Sequence, residues 1–573
     1  MDKKEIAKIL NETAILLELK DADFFKVRAY RGAARALDTS EVELGADTAI
    51  KDLQEIKGIG KNIAGHITDL IASGTFAEYD KLKASTPPGL MEMLKIPGMG
   101  AKKVKFLFDK LGISDTETLE QACLENKLAV LPGFGDKTQE NILKGIHAVK
   151  KYQEKFLYGQ IIGQAESMLE RVEESSFVKR ASLGGSVRRK KEIVKDIDIV
   201  ASTDKPEKVM ELFTTLEDVE DVIARGSTKS SIRLKNGINA DIRTVEDWQF
   251  PYALHHFTGS KEHNTAMRSM AKKSGIKMNE YGLFKDRELI KAESEEDIFK
   301  VFGMQYIPPE LRENHGEIEA AKNNELPDLV ECSDIRGIIH IHTTYSDGKM
   351  TIEQAAKKAA GMGLSYIGIS EHSRSAWYAG GLREEDIDAH LEEIDRLNEK
   401  YKDLTIFKGI ESDILIDGKL DYDDHLLEKF DFVIIAIHSN FNMPKKDITK
   451  RIIKAMENPR AAILAHPTGR LLLARDPYEV DMEEIIDAAS EKGVDLELNA
   501  SPFRLDLDWR YGKYVKDKKV KVFINPDAHT MDGLYDYRFG INIARKGWLE
   551  ADDIANTMDA GNMAKYLKAK KKR

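Results

Sequence analysis

Cysteine is nearly absent from this chain of 573 residues, which holds Cys123 and Cys332 and no others. Two thiols exclude the disulfide framework of small secreted domains and fit a reducing compartment. Long apolar runs are missing too. No stretch stays apolar for the ~20 residues that a membrane span needs, and the opening MDKKEIAKILNETAILLELKD lacks the apolar core and small-residue cleavage site of a secretory leader. A cytoplasmic location with no membrane partner is expected. An excess of basic charge is also lacking, since 87 Lys and Arg face 98 Asp and Glu for a net charge of -11. Taken over the whole chain, that balance argues against an acidic polymer as partner. The objection weakens where carboxylates hold cations and basic residues gather locally. What remains, 42% hydrophobic and 32% charged residues, is the make-up of soluble globular domains, and the length implies roughly three to five of them.

The texture changes along the chain. Residues 1–145 read as short amphipathic helices broken by Gly-rich turns. Between about 180 and 245, short strands such as DIDIVAS and GINADIRTV alternate with helical stretches like PEKVMELFTTL, the pattern of a mixed α/β domain. The polar, Pro-bearing segment GEIEAAKNNELPDLVEC, 316–332, reads as a linker. Beyond it, the runs GIIHIH, YIGISEH, IFKGIE, FVIIAIH, AAILAH, VDLELN and KVFIN alternate with helical patterns, which predicts a barrel-like parallel sheet. The final KAKKKR reads as a frayed, solvated basic tail.

Three turns share one design: Lys57-Gly58-Ile59-Gly60-Lys61, Pro97-Gly98-Met99-Gly100-Ala101-Lys102 and Pro132-Gly133-Phe134-Gly135-Asp136-Lys137. Each follows an apolar residue and opens a helix. Glycine lets a phosphate come close, and a helix N-terminus presents free amide donors to it. That geometry holds a DNA backbone without reading sequence.

In LGGSVRRKKEIVKDIDIV, Asp196 and Asp198 stand two apart on an expected strand, so both point to one face. Two carboxylates on one face repel unless cations neutralise them, and phosphoryl transfer uses two metals roughly 3.5–4 Å apart. Asp241, in NADIRTV, supplies a third carboxylate from a neighbouring strand. Gly185-Ser186 and Arg188-Arg189 offer backbone donors, a hydroxyl and guanidinium groups for a triphosphate.

Imidazoles and carboxylates then recur at or just past six of the seven late strand-like runs: His340, His342 and Asp347, His372, Glu411, His438, His466, and Asp527 with His529. Parallel barrels gather their active sites where the strands end, and mixed ligands of this kind suit Zn, Mn or Fe. Glu371, beside His372, is a candidate to orient a ligand or to stand behind the ligands, and Arg470 and Arg475 are candidates for substrate phosphates.

Nearly the whole chain resembles a bacterial or archaeal family X DNA polymerase carrying a C-terminal polymerase-and-histidinol-phosphatase (PHP) domain. The resemblance implies a multidomain fold: an all-α helix-hairpin-helix region, an α/β nucleotidyltransferase palm and a distorted (β/α)7 barrel. Its expected boundaries are a lyase-like DNA-binding domain at 1–80, a two-hairpin subdomain at 81–150, the palm at 151–245, a nascent-base-pair subdomain at 246–315, a linker at 316–333 and the PHP domain at 334–573. The glycines of the three hairpins would hold DNA backbone. Asp196, Asp198 and Asp241 would be catalytic, with Mg²⁺ or Mn²⁺. Through HHFTGSKEHNTAMR and KMNEYGL, His256, Phe257, Gly259 and Asn264 would join Gly185, Ser186, Arg188 and Arg189 at the nucleotide, while Arg243, Arg268 and Glu280 would lie near primer and template. His256 stands where DNA polymerase beta has a tyrosine. His66 falls at that enzyme's Schiff-base lysine, and an imidazole cannot replace the primary amine, so Lys61 is read as a phosphate contact. The PHP resemblance makes the nine barrel residues ligands for up to three divalent metals, Mn²⁺, Zn²⁺ or Fe²⁺. Together these imply a monomeric repair enzyme that fills short gaps from deoxynucleotides, as in base excision repair, and trims DNA 3′ ends. The rival readings are a metallophosphoesterase with a degenerate polymerase region and a non-catalytic DNA-end scaffold.

Overall fold

The computed structural model describes residues 1, 3–40, 44, 50–152 and 154–571, in two compact units, Met1–Gln153 and Glu154–Arg573. Residues 41–43 and 45–49 of the expected helical region, and the last two residues of the basic tail, lie outside the described residues.

The first unit is helical throughout its described elements. Apolar residues at i, i+4 and i+7 turn one face of Lys61–Ser73 inward, burying Ile63, Ile67 and Leu70, the stripe of a core-facing helix. Two cores result, one around Leu10, Leu37, Leu53 and Leu70 and the other around Met93, Val104, Leu107 and Ile142.

The second unit begins with a five-stranded mixed sheet: β1 (Arg180–Leu183), β2 (Asp196–Ser202), β3 (Val219–Arg225), β4 (Lys229–Leu234) and β5 (Asn239–Val245), in the order β1-β2-β5-β4-β3. Only β2 and β5 pair in parallel. Ile197, Ile199, Ala240 and Ile242 pack with Ile161, Met168 and Phe213 from the adjoining helices, which leaves Asp196 and Asp198 of β2 on the other face. Helices Phe250–Thr258, Lys261–Lys273 and Glu295–Val301 follow, with a small antiparallel sheet of β6 (Ile276–Asn279), β7 (Gly282–Lys285) and β8 (Glu288–Ile290).

The interval read as a linker is not a solvated spacer. It carries helix Glu317–Asn323, with Glu317, Ile318 and Ala321 buried. Its polarity is used internally: Glu317 lies 2.7 Å from His263 and accepts the amides of Asn314 and His315.

Seven parallel strands then follow in chain order: β9 (Gly337–Ile341), β10 (Tyr366–His372), β11 (Thr405–Asp413), β12 (Phe432–Ala436), β13 (Ala461–Leu464), β14 (Asp495–Asn499) and β15 (Val522–Asn525). All residues of β9, β10 and β12 are buried, which is why they read as continuous apolar runs rather than alternating ones. Past β15, the Ala528 amide donates to His340 O (3.2 Å) and the His342 amide to Ala528 O (2.9 Å), so the first and last strands meet at the end where the candidate ligands stand. The tail differs from expectation, since helix Ala560–Lys570 takes in KAK, buries Met563 and Leu567 on the barrel and pairs Lys570 with Asp495 at 2.6 Å.

Sheet domain and barrel share buried groups. Lys546 has a fully buried side chain at the end of helix Tyr537–Lys546 and reaches Glu313 at 2.8 Å, Arg189 O at 3.1 Å and Glu310 O at 3.2 Å. Trp548 completes the core of Met267, Phe299 and Leu311.

Candidate active sites

The three glycine turns have one conformation. In each, the central residue (Ile59, Met99 or Phe134) is buried, and its amide donates to the carbonyl three residues earlier. Gly58, Gly98 and Gly133 have φ of 106°, 82° and 83°, a left-handed backbone that only glycine adopts without strain. Helices starting after Gly60 and Gly100 have no side-chain cap, and a Cβ on Gly60, Gly98, Gly100, Gly133 or Gly135 would meet nothing within 4 Å. The turns therefore expose bare amides at helix starts. Beside the first of them, a cavity of about 550 Å³ is lined by Lys26, Tyr30, Lys61, His66 and Glu78. His66 Nδ1 lies 2.8 Å from the Tyr30 hydroxyl, which donates to Glu78, and its ring stacks on Phe76 at 4.4 Å.

In the sheet domain, parallel register sets Asp198 opposite Asp241 and Asp196 opposite Asn239. Burial, then the Asp196 and Asp241 charges, push Asp198 up to about 7. Burial and Asp241 raise Asp196 as well. Lys229 meets Asp241 at 2.5 Å, a partial neutralisation by a side chain where a cation would do more. Asp198 packs so closely on Gly185, at φ 56°, that a Cβ there has no room. Gly184 donates to Asp198 O at 2.7 Å, fixing the turn that presents Ser186.

Arg188 and Arg189 are paired within the protein, and Arg189 stands beside Gly259, where a Cβ would meet its Nη1 at 2.9 Å. Arg188 pairs with Glu295 at 2.5 Å and donates to Thr258 Oγ1 at 2.6 Å; Arg189 pairs with Glu313 at 3.1 Å and with the Thr258 carbonyl. These pairings join the sheet to the helices after it, with partners 69 to 124 residues away that the local motif could not reveal. His256, Phe257, Gly259, Asn264, Arg243, Arg268 and Glu280 come together. The Arg243 guanidinium lies 4.7 Å over the Phe257 ring, Asn264 Nδ2 donates to His256 O at 2.7 Å, and Arg268 donates to Asn264 O at 3.1 Å. Asn264 Oδ1 is buried with no hydrogen bond, an acceptor left for a ligand. Burial lowers His256, against the pull of Glu280.

The barrel gathers all nine residues named from its strand ends. Three groups have ligand atoms within 4.8 Å of one another: His342, Asp347, His372 and His529; His340, His342 and Asp527; and His372, Glu411 and His438. His466 joins through Glu411, 3.0 Å away. His340 Nε2, both ring nitrogens of His342 and Glu411 Oε2 are buried without a hydrogen bond. Buried polar atoms are rarely left so, and this donor set fits divalent cations. Burial, with His372 and His529, pulls His342 down to about 3, and the neutral imidazole is the form that binds metal. Glu411 and Asp527 are buried yet held well below the usual carboxylate range by the surrounding histidines. His340, His466 and Asp527 have φ of 65°, 27° and 51°, backbone strain of the kind that clusters at functional sites.

Sequence reasoning missed the groups behind the ligands. Glu497, from the one strand with no candidate, meets His340 Nδ1 at 2.5 Å and accepts from the His466 amide, Asn499 and Asn525. Asp413 holds His438 Nδ1, and Arg504 approaches Asp527 at 3.6 Å. No local signal set Glu497 apart, since it stands in the middle of β14 like any strand acid. Glu371 does not orient a ligand directly. It accepts from the Thr343 amide and hydroxyl and from Ser346, pinning the loop that bears Asp347. Arg470 and Arg475 are also structural: one joins Asp508 at 2.8 Å and Arg504 O, and the other donates to Gly469 O and covers Phe441.

Family models match four stretches: Helix-hairpin-helix domain at residues 1–76, SAM-like Helix-hairpin-helix tandem at 90–148, DNA polymerase beta thumb at 253–313 and PHP domain at 339–501. A DNA polymerase/3′-5′ exonuclease PolX of Bacillus subtilis (strain 168) is 38% identical over 99% of this chain and 100% of that protein. The chain belongs to the PolX family. A probable phosphatase of Thermoanaerobacter sp. (strain X514) is 30% identical over 41% of this chain and 95% of its own length, and one of Clostridium acetobutylicum is 27% identical over the same shares. PolX membership carries divalent metals and DNA binding with it. No helix among the described residues is long and apolar enough to cross a membrane.

Proposed function

We propose that this PolX chain is a DNA-directed DNA polymerase that fills short gaps in repair and trims 3′ ends with a separate metal-dependent 3′-5′ exonuclease centre in its barrel. One observation carries the reading: a single chain holds two charge centres on different sheets, a carboxylate triad and a nine-residue imidazole and carboxylate cluster at the barrel mouth. Full-length similarity to the Bacillus enzyme supports it.

Asp196, Asp198 and Asp241 would hold Mg²⁺ or Mn²⁺, which would supply the charge needed to activate a primer hydroxyl and hold a triphosphate. Gly185 and Ser186 present backbone amides and a hydroxyl to phosphates, Phe257 and Gly259 flank the sugar, and the free Asn264 acceptor addresses the base edge. Arg243, Arg268 and Glu280 position the templating pair. In the barrel, His340, His342, Asp347, His372, Glu411, His438, His466, Asp527 and His529 would hold up to three Mn²⁺, Zn²⁺ or Fe²⁺ ions. Glu497 and Asp413 fix ring orientation there, and Arg504 offers a cation to phosphate. The hairpin glycines take the DNA backbone. Gapped DNA and deoxynucleotides are the substrates, the chain acts as a monomer in the cytoplasm, and the boundaries given from sequence are the domain assignment, except that helix Glu317–Asn323 joins the subdomain before it. The phosphatases similar to the barrel favour one further reading, removal of a 3′-phosphate by the same centre.

The test follows a 5′-labelled primer in a one-nucleotide gap with Mn²⁺, with and without deoxynucleotides. Extension should vanish in Asp196→Ala and survive in His340→Ala, and shortening should do the reverse. Loss of both activities in either folded variant would overturn the two-centre reading.

A further inference from the structure

The loop after β10 holds two large aromatic side chains in solvent. Trp377 is 82% exposed and Tyr378 60%, on the single turn Trp377–Ala379, with rings 6.3 Å apart at 80°. Aromatic rings of this size normally bury most of their surface. The turn is firmly held. Ala376 and Ala379 are buried, Arg374 donates to Asp421 O at 2.8 Å, the Ser375 amide to Asp421 Oδ2 at 2.7 Å and its hydroxyl to Asp413 Oδ2 at 2.8 Å. Gly381, just beyond, packs against Ser373 O with no room for a Cβ.

The same rings line a cavity of about 660 Å³ whose other walls include Ile416, Asp413, Asp417 and His438. It is thus continuous with the barrel's ligand cluster. Its lining residues contain two carboxylates and neither Lys nor Arg, so a phosphate is repelled there, while a flat uncharged ring is not. A cation beside the centre is Arg504, 3.6 Å from Asp527, outside this cavity's lining.

We infer that Trp377 and Tyr378 form a stacking platform for the base of a 3′-terminal nucleotide whose last phosphodiester lies at the barrel centre, an inference that rests on the exonuclease reading. Trp377, the more exposed ring, takes the base face, and Tyr378 closes the side toward Asp413. Stacking accepts any base, so the platform favours unpaired ends over paired ones without reading sequence. A base still in a duplex must first leave its stack.

The experiment uses the full chain, Mn²⁺ and 5′-labelled single strands carrying 2-aminopurine at the 3′ end or at an internal position, with a phosphorothioate last linkage to slow turnover. Terminal 2-aminopurine should be quenched on binding and internal 2-aminopurine much less, and Trp377→Ala should remove the difference while Trp377→Phe retains it. On ordinary oligonucleotides, Trp377→Ala should raise KM for shortening about tenfold, within the range of base–ring stacking, with kcat nearly unchanged. An abasic 3′ residue should raise KM equally in the parent and add nothing in the variant. Unquenched terminal 2-aminopurine in the parent, or an unchanged KM in Trp377→Ala, overturns the platform. A parent that shortens no DNA overturns the exonuclease reading instead, and the quenching result still decides the platform.

Discussion

Replacing Asp198 with Asn should stabilise the metal-free protein, and more so as pH rises. The folded state holds Asp198 at about 7 because it is buried beside Asp196 and Asp241, against about 3.9 in an unfolded chain. A raised carboxyl binds its proton more tightly when folded, so its penalty is absent below pH 4, grows through the interval and is complete above 7. Three pH units at 1.36 kcal/mol each set a ceiling of about 4 kcal/mol, of which roughly 2 develops between pH 5.5 and 8. Asp198 shares its proton affinity with two neighbours, so the value belongs to the triad. Urea unfolding in chelator at both pH values, for parent and Asp198→Asn, measures it. The variant's advantage should widen by about 2 kcal/mol at the higher pH, and excess Mg²⁺ should cancel it by stabilising the parent alone. An advantage indifferent to pH would show that the carboxylates do not strain the fold, and equal stabilisation of both proteins by Mg²⁺ would show that cations do not use Asp198.

Lys546→Met should cost about 3–5 kcal/mol by leaving a buried carboxylate short of its partner, and the double variant with Glu313→Gln should recover much of that in the same unfolding assay; strict additivity would argue against the buried pair. Glu497→Gln should lower metal affinity of the barrel about 10- to 100-fold with little change in secondary structure, read by metal titration and circular dichroism. Gly100→Ala should change stability by no more than about 0.5 kcal/mol, because its Cβ enters open space on an exposed turn, yet weaken DNA binding severalfold in an anisotropy titration.

Patterns carried by neighbouring residues were readable before any coordinates. The two-residue spacing of Asp196 and Asp198 set their common face, and strand-end histidines announced the barrel mouth because a parallel sheet brings its ends together whatever lies between. Long-range pairings were not readable. His340 and Glu497 are 157 residues apart, and nothing local distinguishes Glu497 from an ordinary strand acid. Arg188 and Arg189 looked available because Glu295 and Glu313, which hold them, belong to later helices. The strands β6 to β8, three or four residues each, are too short to show alternation. Glu317 made a buried helix look like a spacer, since composition cannot tell a satisfied internal acid from a solvated one.

Lys546 and Trp548 bear on how the protein can be taken apart. Both lie in the C-terminal barrel yet finish the interior of the domain before it. A fragment ending before the barrel would therefore display a raw apolar face and leave Glu313 without its Lys546 counter-ion. Poor activity in such a fragment would report a wounded surface rather than the intrinsic competence of the polymerase half. For dissecting the two centres, point substitutions that leave this seam closed are the sound instrument, and gene truncation is not.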